Sequence, residues 1–143
     1  MSVSRTAWTW MFLAKGLYNI VVSLTLLIFA DRFLPLMGIP AGNAAYPQMF
    51  LLLCLAFGIG YVIVGLDVDS NAGIVVIGIL GQVSVFATVI CQWRSGAVYG
   101  PAVLSGVIDL AFALGFAVFL WTRRYPVEQP GATGVLPDQD KAA

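Results

Sequence analysis

Apolar residues run along this chain in four long blocks separated by short polar breaks. Residues 33–66 and 70–93 carry no charged side chain, and 95–122 carry one, Asp109. A hydrocarbon layer of about 30 Å needs roughly 20 apolar helical residues to cross it. The pattern therefore predicts helical spans near residues 8–30, 47–66, 72–93 and 98–122. The expected fold is all-α: a polytopic membrane protein built as an antiparallel bundle of four transmembrane helices over residues 1–124. Lys15 interrupts the first run and no small-residue cleavage site follows it, so that run reads as a span and not as a cleaved signal. Residues 125–143 hold three prolines and two glycines without periodicity, and are expected to form a disordered cytoplasmic tail.

Composition agrees with the blocks. The chain is 60% hydrophobic and 10% charged, where an average soluble domain is roughly 45–50% apolar and about 25% charged. Net charge is zero and no basic run occurs, so nucleic acid is not an expected partner. Arg5, Arg123, Arg124 and Lys141 fall on one side of the predicted bundle, Arg32 and Arg94 on the other. That excess predicts both termini in the cytoplasm. Trp8, Trp10, Trp121 and Tyr125 mark one interface, and Tyr46, Trp93 and Tyr99 the other.

Four polar side chains break the apolar pattern at depth. Asn19, Gln82 and Asp109, from three different spans, come within roughly 15–18 Å of the terminal-side interface by helix rise. Lys15 lies four residues before Asn19, on the same face of the first span. Lys15, Asn19, Gln82 and Asp109 thus form a candidate intramembrane cluster for a ligand or a proton. The bland alternative is interhelical glue, usually worth about 1 kcal/mol per polar group. Lys15 sits about 8 Å by helix rise from the level of Asp109, and its stem should lean toward the cytoplasm. A neutral or water-linked Asp109 is therefore expected in preference to a tight salt bridge. Small residues at helical spacing mark the packing faces: Gly58 and Gly65 on the second span, Gly78 and Gly81 on the third, Ala102, Gly106 and Ala113 on the fourth.

Other chemistry is scarce. With no histidine, haem and most zinc, copper and di-iron sites lose their usual ligands. Cys54 and Cys91 lie at different depths, outside any Cys-x-x-Cys, and read as small packing residues. The stretch from Asp67 to Gly73 opens like a calcium loop, but Ala72 and Gly78 replace its required glycine and glutamate. It reads as a turn, with Ser70 or Asn71 capping the next helix. The first loop, Asp31 to Gln48, is apolar and broken by Pro35, Pro40 and Pro47, so it suits a greasy linker or a lid over the bundle mouth.

The stretches AKGLYNIVVSL, FGIGYVIVGLD and GILGQ resemble small four-span bacterial membrane proteins of the broad DoxX-like type. The resemblance covers the first three spans and implies a four-helix bundle, with no active-site assignment. No catalytic residue, cofactor or metal site is expected. The leading functional expectation is an accessory or scaffold subunit without catalysis, associated with lipid and with a membrane-protein partner or a second copy. The alternatives are an oligomeric proton-coupled transporter using Asp109, and a protein binding a quinone or other lipophile around Asp109, Lys15 and Tyr61.

Overall fold

A computed structural model describes residues 4–39 and 45–124 of the chain. Helix α1 spans Arg5–Ile28 and is opened by Ser4, whose hydroxyl accepts from the Ala7 amide at 3.2 Å. A short helix α2, Ala30–Phe33, and a 3₁₀ turn, Pro35–Met37, follow. The turn stops at Gly38, whose φ of 83° favours a residue without a Cβ. Helices α3 (Ala45–Leu66), α4 (Ala72–Arg94) and α5 (Gly100–Arg124) complete an all-helical bundle. The four long helices are each long and apolar enough to cross a membrane. Their outward faces carry exposed Leu17, Leu24, Ile28, Ile63, Ile77, Leu80 and Leu114, which suit contact with lipid and not with water. The predicted spans match these helices to within a few residues. The predicted tail, 125–143, lies outside the described residues.

The bundle is made of two helix pairs. Helix α1 packs along α3 and α4 along α5, while α3 and α4 meet over a much shorter stretch. Glycine makes the first pairing close. A Cβ on Gly16 would stand 2.9 Å from the Gly58 carbonyl oxygen, and a Cβ on Gly58 would stand 3.1 Å from that of Gly16. Nearer the terminal side, Gly65 admits Leu13. The second pairing is looser: a Cβ on Gly106 would meet Val89 at 3.4 Å, an ordinary contact.

On the terminal side an aromatic core joins the pairs. Phe12, Tyr61, Val64, Val68, Val75, Phe116 and Phe119 are buried together there. Phe12 lies 4.6 Å from Phe116 and 4.9 Å from Phe119 by ring centroid, the latter edge-on, and Trp8 stands edge-on to Phe119 at 5.4 Å. Such edge contacts set the positive ring rim against the negative face. The stripe Ala102, Gly106, Asp109, Ala113 continues down α5 to Phe116 and Phe119, so one helical face holds both the small residues and the large rings.

Polar contacts close this end. Arg123 donates to the Val68 and Asp69 carbonyls and pairs with the Asp69 carboxylate at 2.6 Å; Arg5 reaches the same carboxylate at 2.9 Å. The turn between α3 and α4 is thereby tied to the start of α1 and the end of α5. Within the turn, the Ser70 hydroxyl and the Asp69 amide hold the Asp67 carboxyl below its ordinary value. The capping expectation needs correction. Asn71 occupies the N-cap of α4, but its side chain donates backward to the Asp67 carbonyl at 3.1 Å and caps nothing. The donated bond holds the Asn71 amide over the turn, and its oxygen accepts from no amide of α4.

At the opposite end, the 3₁₀ turn docks on the α4–α5 connection. The Tyr99 amide donates to the Met37 carbonyl at 2.9 Å, and Gly38 lies against Ala97 and Val98. The described part of the first loop is thus folded back onto the bundle.

Candidate functional site

Away from the aromatic core the two helix pairs diverge, and the space between them is a cavity of about 820 Å³. All four long helices wall it, and Leu34, Met37 and Ile39 of the first loop cover its outer end. The walls are mainly apolar. Phe50, Leu53 and Leu104 on those walls are also exposed, which makes the cavity continuous with the lipid-facing surface. Its volume falls in the range of roughly 300–1,000 Å³ typical of small-molecule sites.

Lys15, Asn19, Gln82 and Asp109 all line this one cavity. Their convergence follows from the helix faces. Phe12, Lys15, Gly16, Ser23 and Leu26 are the buried stripe of α1, so the face that packs on α3 also carries Lys15 inward. On α4 the buried residues are Val75, Gly78 and Gln82, spaced by three and four.

Lys15 and Asp109 form a direct ion pair through Nζ and Oδ1, tying α1 to α5. This corrects the expectation of a neutral or water-linked Asp109. The lysine stem does not lean toward the terminal side. Its ammonium lies 4.9 Å from the ring centre of Tyr18, one turn farther from that side, and 5.3 Å from that of Phe112. The stem covers the axial gap, and two ring faces favour the cation where water is absent. The lysine side chain is 1% exposed and the aspartate 14%, so the carboxylate is the member that faces the cavity.

Gln82 makes the second polar contact. Its Nε2 donates to the Tyr61 hydroxyl at 2.9 Å, while its Oε1 is buried without a partner among the described residues. Gly78 makes the contact feasible: a Cβ there would stand 2.7 Å from the Tyr61 hydroxyl oxygen. Asn19 joins the site less closely, since its Nδ2 donates to the Cys54 carbonyl at 3.4 Å. Tyr18 and Ser105 extend the polar lining one turn farther along α1 and α5.

Of the predicted packing residues, Gly58 and Gly65 serve the α1–α3 contact, Gly78 seats Tyr61, and Gly106 and Ala113 lie against neighbouring helices. Gly81 and Ala102 also line the cavity, Ala102 while buried. Gly81 is the loosest of the set, since a Cβ placed on it would find its nearest neighbour, Phe57, at 3.6 Å. The pattern of small residues on the later spans does not single out Gly16, whose backbone meets that of Gly58. A signal for it exists, since Gly16 and Ser23 stand seven residues apart on one face. Cys54 and Cys91 are both free thiols. Comparison of the chain with protein-family models, curated proteins and solved structures finds no match, so the site is read from its own chemistry.

Proposed function

We propose that this protein binds a lipophilic molecule taken from the bilayer, with the molecule's polar head on the floor formed by Lys15, Asp109 and Gln82. The observation that carries the reading is that Lys15, Asn19, Gln82 and Asp109, from all but one of the long helices, line one mainly apolar cavity. Polar groups serving only as glue would be spent on one another. Here Gln82 keeps an unpaired buried oxygen, and Asp109 turns a partly exposed carboxylate to the cavity. A bound head group gives both a partner, and the continuity with the lipid-facing surface supplies a route for a tail.

The arginines at one end of the bundle support both termini cytoplasmic, and the DoxX-like resemblance suggests a bacterial inner membrane as the setting. In that orientation the cavity lies in the outer-leaflet half. An accessory role beside a larger membrane protein is compatible with lipophile binding and is resolved by the same experiment.

That experiment is native mass spectrometry of the protein extracted in mild detergent, beside a Val85→Trp variant that fills the cavity from α4. The expected result is a small lipophilic adduct on the wild-type chain that is lost from the variant. A wild-type chain free of adducts, still unable to take up added lipophiles, would refute the reading. A reproducible heavier assembly would add the accessory role.

A further inference from the structure

The chemistry of the cavity floor narrows the class of lipophile, on the premise that the cavity does hold one. Lys15 and Asp109 are the only charged residues among the described residues that line the cavity, and each neutralises the other. A charged head group would find no counter-ion there, and an unpaired ion at membrane depth is costly. The floor therefore suits an uncharged head.

The hydrogen-bonding capacity left over at the floor is mainly accepting: beside the Tyr61 hydroxyl proton stand two free oxygens. The Lys15 ammonium donates to Asp109 Oδ1 and lies between the Tyr18 and Phe112 rings, which face its remaining protons. Asp109 Oδ2 has no hydrogen bond among the described residues, and its side chain is open to the cavity. Gln82 is 5% exposed, its amide nitrogen is committed to Tyr61, and its Oε1 has no partner among those residues. Both free oxygens can only accept. A head group built only from carbonyls, as in a quinone, could accept the Tyr61 hydroxyl proton but would leave both free oxygens unpaired. We propose that the occupant is an uncharged lipophile whose head carries hydroxyl groups, donating to Asp109 Oδ2 and Gln82 Oε1.

Three probes with one acyl chain test this on the full-length chain in detergent: a monoacylglycerol, its dimethyl ether, and the free fatty acid anion. The diol should bind at least about tenfold more tightly than the ether, because a buried acceptor left facing an ether oxygen stays unsatisfied. The diol should also bind more tightly than the anion. In Gln82→Leu the diol-to-ether ratio should fall severalfold. A cooperative melting transition in detergent shows that the variant has folded. If it does not fold, Gln82→Met is the replacement, with the same expected fall.

Equal binding of diol and ether to the wild type would overturn the hydroxyl assignment and leave lipophile binding standing. Tightest binding by the anion would overturn the uncharged head. An unchanged ratio in the folded leucine variant would remove Gln82 from the assignment. Binding of none of the three would defeat both this inference and the reading on which it rests.

Discussion

The two halves of the bundle solve the same problem in opposite ways. Near the termini, the space between the helix pairs is filled by Phe12, Tyr61, Phe116 and Phe119, all buried, and the connecting turn is clamped by Arg5 and Arg123. In the other half the same four helices leave about 820 Å³ unfilled. Apolar character does not separate the two halves, since both are rich in it. The difference is side-chain size at the facing positions of α5. Phe116 and Phe119 fill the closed half, while Ala102, Ser105 and Gly106 stand in the open one. In lipid, where tails are as apolar as leucine, packing must hold helices together, and an unfilled half is a standing cost. A binding site is a physical reason to keep it.

The ion pair at the boundary is the sharpest place to break this contrast. Asp109→Ala should have the largest effect, about 3–5 kcal/mol, because it strands a buried ammonium. Thermal unfolding in detergent measures it. The double variant Lys15→Met with Asp109→Leu should recover most of that stability, since a well-packed apolar pair avoids the desolvation cost. Diol binding should still be lost. Recovery of binding together with stability would mean that the pair is structural only.

Truncations then compare the halves directly. Phe116→Ala should cost about 3 kcal/mol or more, because it empties a fully packed position. Gly16→Ala should cost about 1–3 kcal/mol, since the new methyl would meet backbone at the α1–α3 crossing. Leu53→Ala, on the cavity wall and 56% exposed, should cost less than about 0.5 kcal/mol. Similar losses from Phe116→Ala and Leu53→Ala would erase the distinction between closed and open halves.

The smallest expected effect concerns the turn. Because the Asp67 carboxyl is held below its ordinary value, its contribution is present above the usual carboxylate range near about 4 and is lost as pH falls through the lowered value. Amide exchange over residues 67–71 should quicken relative to the helices on acidification to that range. Asp67→Asn should flatten the dependence without moving the bundle's melting temperature.

The four spans are legible in the sequence because about 20 uncharged residues in a row leave few alternatives. The candidate cluster is legible for a related reason: polar residues are so rare in these spans that equal depth on different helices is informative. Depth says nothing about azimuth, however, and the cavity is a matter of azimuth. Nothing in the order of residues distinguishes a face turned to a neighbouring helix from one turned to empty space, so nothing in the sequence shows that Gly81 and Ala102 also line the cavity. The direction of the Lys15 stem is hidden for a different reason. The pull of the interface is visible in the sequence, whereas the placing of the Tyr18 and Phe112 rings around the ammonium is not. Asn71 is a similar case, since the carbonyl that holds its amide over the turn is in place only when the turn has folded.

The contact of Gly16 with Gly58 also has a mechanical meaning. Backbone against backbone cannot slide as side chains can, so α1 and α3 act as one stiff leaf of a folded book. Helices α4 and α5 form the other leaf, and the stacked rings at the terminal side are its spine. From Phe116 to Pro101 the lever is about 22 Å by helix rise, so tilting the leaves by about 5° widens the far edge by roughly 2 Å. The hydrogen bond from Tyr99 to Met37 is then a clasp across the free edge, 2.9 Å long.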